Sequence, residues 1–155
     1  MLKRVWRLLL SAALVAAFSA AAAAKDPPAD IFGVYPGLPE AEARALLNKV
    51  GREERVAGSK QNVWEVKDAR VSHVIVRFKD KAVRWVIAQA RADARERLRY
   101  ADLADPAAAR HKTDGVNHTY IWTVPARPGR TAYILVAGGR DPQFLTSYRL
   151  LRTFE

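Results

Sequence analysis

The chain has 155 residues, half of them hydrophobic, with 26 Lys and Arg against 16 Asp and Glu and no cysteine. That length suits one domain, and the apolar content excludes a disordered chain. The lack of cysteine excludes a disulfide scaffold, a cysteine-ligated zinc or iron–sulfur centre, a thiol nucleophile and a lipid-bearing cysteine.

Lys3, Arg4 and Arg7 form a basic start, residues 8–18 an apolar run, and Ser19 with the alanines at 20–24 offers small-x-small cleavage sites. Residues 1–24 therefore have the pattern of a Sec signal peptide cut between residues 20 and 25. The protein is then expected to be periplasmic or secreted. The apolar run is shorter than the roughly 20 residues of a bilayer span, so an uncleaved anchor is the weaker alternative. Three of the ten excess positive charges leave with this segment, so the remaining chain carries +7. They are spread evenly: residues 25–92 hold 13 basic and 9 acidic side chains, and residues 93–155 hold 10 and 7. A nucleic-acid face needs clustering, so nucleic acid is not an expected partner. A basic surface in the envelope still attracts anionic lipids or polymers.

Residues 31–35 are a short apolar segment ended by a turn at Pro36-Gly37. A helix follows. Pro39 suits its first turn, Glu40 and Glu42 favour the positive end of its dipole, and Ala43, Leu46, Leu47 and Val50 form one apolar stripe before Gly51 stops it. Residues 52–61 are polar and expected to be looped. Strand patterns cover 62–67, 72–79 and 82–90. A two-residue turn at Asp80-Lys81 pairs Phe78 with Val83, Val76 with Trp85 and Val74 with Ile87 on one face. The same register pairs Arg77 with Arg84, Ile75 with Val86 and His73 with Ala88 on the other. Keeping Trp64 inside requires an odd-length loop or a bulge around residues 68–71, with Trp64 opposite Val76 and Val66 opposite Val74.

Residues 91–110 have helical character, with Leu98 and Ala101 on one side. Asp105-Pro106 supplies an N-cap and first-turn proline for a short helical piece at 107–111. Three more strands are expected at 118–124, 131–137 and 144–152. Helix plus three strands thus occurs twice, in residues 31–91 and 92–155. The expected fold is α+β: one domain, residues 25–155, with helices packed on one face of an antiparallel sheet of up to six strands.

The run FGVYPGLPEAEARALLNKVG at residues 32–51, with FKDKAV at residues 78–83, resembles the opening of SmpA/OmlA-like domains, small envelope modules associated with outer-membrane β-barrel assembly. The doubled unit resembles the tandem arrangement of the β-lactamase-inhibitory-protein fold. The resemblance implies a non-catalytic, exported, protein-binding module.

Catalytic motifs are missing: there is no Gly-x-Ser-x-Gly, His-Glu-x-x-His, P-loop or dinucleotide fingerprint. No enzyme activity, cofactor or metal is expected. His111, Asp114 and His118 are the one local acid–base cluster and carry the enzyme alternative. Gly138-Gly139-Arg140 can bind an anion through backbone N–H groups, or simply serve as a glycine-rich hairpin loop. Trp64, Trp85 and Trp122 are expected in the core. The favoured binding residues lie on the outer face of the first hairpins: Arg77 beside Arg84, with Ile75, Val86 and His73. Apolar residues rimmed by arginine suit a contact with another envelope protein.

Overall fold

One continuous antiparallel sheet of eight strands organises the protein. The computed structural model describes residues 24–55, 58–59 and 61–152; nearly all of the expected signal peptide lies outside them. In chain order the elements are α1 (Glu40–Val50), β1 (Gly51–Glu54), β2 (Asn62–Val66), β3 (Val71–Lys79), β4 (Ala82–Ala90), α2 (Tyr100–Leu103), a 3-10 turn (Pro106–Ala108), β5 (Arg110–Thr113), β6 (His118–Val124), β7 (Tyr133–Gly139) and β8 (Ser147–Arg152). The strand order is β1-β2-β3-β4-β8-β7-β6-β5, so two four-strand meanders meet where β4 pairs with β8.

This overturns the expected α+β fold of two helix-plus-three-strand units. Only α1, at 11 residues, is a helix of several turns among the described residues; α2 has four. Residues 92–97 are rich in helix formers, but they have no apolar stripe to bury. A short helix without tertiary packing does not hold in water, and the segment is irregular until Leu98, Tyr100, Leu103 and Ala104 reach the core. The two added strands, β1 and β5, are the sheet edges and have the sequences GREE and RHKT. Neither shows apolar alternation. Their ladder bonds to β2 and β6 make them strands despite weak intrinsic preference.

α1 ends directly into β1 at Gly51, whose φ of −163° is ordinary extended backbone. The requirement for glycine is steric: a Cβ there would lie 2.2 Å from the Glu65 carbonyl oxygen.

The core lies on one face only. Trp64 and Val66 of β2, Val74 and Val76 of β3, Val86 and Ala88 of β4, Leu150 of β8, Leu135 and Ala137 of β7 and Trp122 and Val124 of β6 pack beneath α1, α2 and the 31–38 segment. Each buried tryptophan finds its hydrogen-bond acceptor in the layer above. Trp64 Nε1 donates to Asn48 Oδ1 at 2.9 Å, and Trp122 Nε1 donates to the Asp105 carbonyl at 2.8 Å. Asp105 also caps the 3-10 turn, accepting from the Ala107 N–H. The segment before Ile31 is tied to the sheet by Tyr133, whose hydroxyl donates to the Ala29 carbonyl.

The first hairpin turns at Asp80-Lys81 with φ of 53° and 60°, a primed turn that matches strand twist. Phe78 faces Val83 as expected, but the register then shifts by one residue: Arg77 faces Trp85, Val76 faces Val86, Ile75 faces Ile87, Val74 faces Ala88 and His73 faces Gln89. Arg84 is the extra residue of a β-bulge. The bulge lets both Val83 and Val86, three residues apart, point into the core. It also sends Trp85 and Ile87 to the opposite face, so Trp85 is not a core residue. β2 meets β3 with Trp64 opposite Val74 and Glu65 opposite His73. The face is the expected one, two residues out of register, with Asp68 Oδ1 accepting from the N–H groups of Arg70 and Val71 to close the turn.

Candidate protein-binding face

Strand alternation and the observed register define what stands on the other side of the sheet. One row runs Val63, Ile75, Ile87, Arg149, Val136, Ile121 and Arg110 from β2 to β5. A second runs Arg77, Trp85, Leu151, Ile134 and Thr123. The eight apolar members of these rows are all half-buried, whereas Val74, Val76, Val86, Ala88, Leu135, Ala137 and Leu150 on the core face of the central strands are fully buried. Helix α1 and the 3-10 turn lie over the core face, where they meet Trp64 and Trp122. Among the described residues, nothing seals this second face.

Charge on the face is uneven. At the β1–β2 end, Arg52 lies 3.9 Å from Glu65 and His73 lies 3.9 Å from Glu54, so cations and carboxylates are matched. Toward β5 the face carries Arg149, Arg110 and Lys112 and no carboxylate. Arg149 sits between Ile87 and Val136 in the middle of the apolar row and makes no ion pair among the described residues.

The sequence-derived candidates divide between the two faces. Ile75, Arg77 and His73 stand on the open face. Val86 is 0 % exposed and belongs to the core, and Arg84 occupies the bulge, so the expected Arg77–Arg84 and Ile75–Val86 pairs do not form. Seven of the eight apolar residues, and Arg149, were not among the candidates. A signal for them exists in the sequence: Ile134, Leu135 and Val136 follow one another without polar alternation, as do Leu150 and Leu151. A strand that is apolar on both sides has two faces to bury.

His111, Asp114 and His118 do not converge as an acid–base triad. His111 Nε2 lies 3.2 Å from His118 Nδ1. Asp114 turns to its own loop, accepting from the Asn117 side-chain amide at 3.0 Å and from the Asn117 and Val116 backbone N–H groups. Those hydrogen bonds, the Asn117 amide foremost, pull its carboxyl down to about 2. Gly138, Arg140, Arg97, Asp141 and Ser147 line a shallow depression near His118. Asp141 there accepts from the Gln143 and Phe144 N–H groups, with Gln143 contributing most to holding its carboxyl below the usual range. It also lies 3.7 Å from Arg97, whose guanidinium covers Phe144.

No described helix is long and apolar enough to cross a membrane. Comparison with protein-family models, curated proteins and solved structures gives no match for this chain.

Proposed function

We propose that this is an exported, non-catalytic envelope protein that binds another protein through the open face of its sheet. The observation that carries the reading is the unsealed apolar row with Arg149 at its middle. Eight neighbouring half-buried apolar side chains form a contiguous apolar patch, rimmed by polar residues, of the kind that suits a protein contact. Arginine within such a patch is a typical anchor of a protein contact. The partner therefore presents an apolar surface with a carboxylate positioned for Arg149. The signal-like start of the chain and the SmpA/OmlA resemblance of residues 32–51 support the same reading.

Affinity capture with quantitative mass spectrometry tests it, using the wild type beside Ile87→Asp, Arg149→Glu and, on the helix side, Lys49→Glu. A partner bound by the wild type and Lys49→Glu but lost by both sheet-face variants is the expected result. Arg149→Glu is expected to weaken that contact by about 2 kcal/mol or more. The three cations toward β5 favour a second reading, an anionic polymer or lipid ligand. Salt-sensitive binding of anionic vesicles, undiminished by Ile87→Asp, would select that one.

A further inference from the structure

At the β5 edge, on the core side of the sheet, His111 and His118 lie in one plane. Their rings are 1° from parallel with centroids 5.4 Å apart, and Nε2 of His111 is 3.2 Å from Nδ1 of His118. The register places them on a diagonal of the β5–β6 ladder, His111 opposite Tyr120 and His118 opposite Thr113. His111 rests on the Tyr120 ring at 4.3 Å, and Tyr120 packs against Tyr100 at 4.3 Å. The His111 ring is thus supported from beneath, while its edge is open to solvent.

Two neutral imidazoles share a hydrogen bond only when one presents N–H and the other a lone pair. A divalent ion takes a lone pair from each ring in place of that proton. Two nitrogens bound at the usual zinc distance to one tetrahedral ion are about 3.3 Å apart. The separation here is already 3.2 Å, so coordination requires the rings to tilt and the nitrogens to move little.

We propose that His111 and His118 form a two-imidazole binding site for a borderline divalent cation, zinc or copper(II), whose remaining positions are filled by water. Imidazole suits both ions, and hard-oxygen cations such as magnesium are excluded by the nitrogen donors. No group of three or more His, Cys, Asp or Glu side chains suited to a metal gathers among the described residues, so the site has two protein ligands and exchanges its ion readily. Asp114 is not one of them, because its oxygens are held by Val116 and Asn117. Arg97, at the depression His118 shares, is paired with Asp141, and Arg110 and Lys112 alternate to the other face of β5. Bound there, the ion ties the edge strand β5 to β6.

Isothermal titration of the untagged chain with zinc chloride tests the site, with histidine ring resonances followed in parallel. One ion per chain is expected, with the His111 and His118 resonances shifted. Affinity should fall about tenfold or more in His118→Ala and equally in His111→Gln, while His73→Ala binds as the wild type does. His111→Gln keeps a side-chain amide able to hydrogen-bond His118, and circular dichroism confirms that each variant is folded. Absence of zinc binding by the wild type overturns the proposal, as does undiminished affinity in folded His111→Gln or His118→Ala.

Discussion

Trp85 lies across the β3–β4 ladder from Arg77, because Arg84 is inserted as a bulge between it and Val83. That single residue decides which side of β4 is which. With Arg84 in register opposite Arg77, Trp85 would pair with Val76 and point into the core; with Arg84 bulged out, Trp85 and Ile87 join the open face. Side chains in a strand alternate with a period of two, so a one-residue slip exchanges the faces of everything beyond it.

Deletion of Arg84 is expected to close the bulge with Trp85 still opposite Arg77 and Val86 still opposite Val76, so the variant should fold with the same faces at a cost of about 1 kcal/mol. Arg84→Ala keeps the bulge and removes only an exposed side chain, so it should stay within about 0.5 kcal/mol of the wild type. Urea unfolding measures both. Loss of folding on deletion would mean that Arg84 is not the inserted residue.

The turn after β3 places two non-glycine residues, Asp80 and Lys81, at positive φ. Lys81→Gly relieves the crowding of Cβ against backbone at the second of these positions. An increase in unfolding free energy of about 1 kcal/mol is expected. An unchanged or lower value would contradict the assignment of strain to this turn.

Gly51 has the opposite character. Its φ is ordinary, but the Glu65 carbonyl occupies the place of a side chain. Gly51→Ala must push β1 away from β2, at a cost of about 1–3 kcal/mol. Accelerated amide exchange at Arg52 and Glu65 should accompany the loss. A variant as stable as the wild type would show that the close approach of these backbones is not needed.

Asp114 gives the loop between β5 and β6 a defined acid response. Its carboxyl titrates at about 2, below the ordinary 3.8, so the charged form is favoured by folding. Its contribution is complete at pH values well above 3.8 and is lost as pH falls toward and through 2. Asp114→Ala should therefore unfold at lower urea than the wild type at pH 7, and the two should converge near pH 2. A gap that persists at pH 2 would assign the effect to packing rather than to the carboxylate.

Much of the local structure was legible in the sequence. α1, the Asp80-Lys81 turn, the Asp105-Pro106 cap and the core positions of Trp64 and Trp122 follow from spacing, turn chemistry and propensity. The edge strands were not legible, because GREE and RHKT acquire strand structure only from the neighbours they pair with. The segment at 92–97 was misread as helical because helix propensity is a weak guide where there is no face to bury. The bulge hid most of the candidate site. An alternation count alone cannot detect an inserted residue, so Trp85 was assigned to the core and Val86 to the surface. Arg149 escaped notice because its apolar neighbours Ile87 and Val136 lie on strands far from it in sequence, and only the sheet order brings them together.

The central claim is that the open face, and not the helix side, meets a partner. Site-specific photo-crosslinking in intact cells tests it most directly, with the crosslinker placed in turn at Ile87, at Val136 and, on exposed α1, at Ala45. A discrete adduct of the same mass from positions 87 and 136, lost when Arg149→Glu is added and not formed from position 45, is the predicted result. Adducts from position 45 alone, or none from either sheet-face position, would contradict the account.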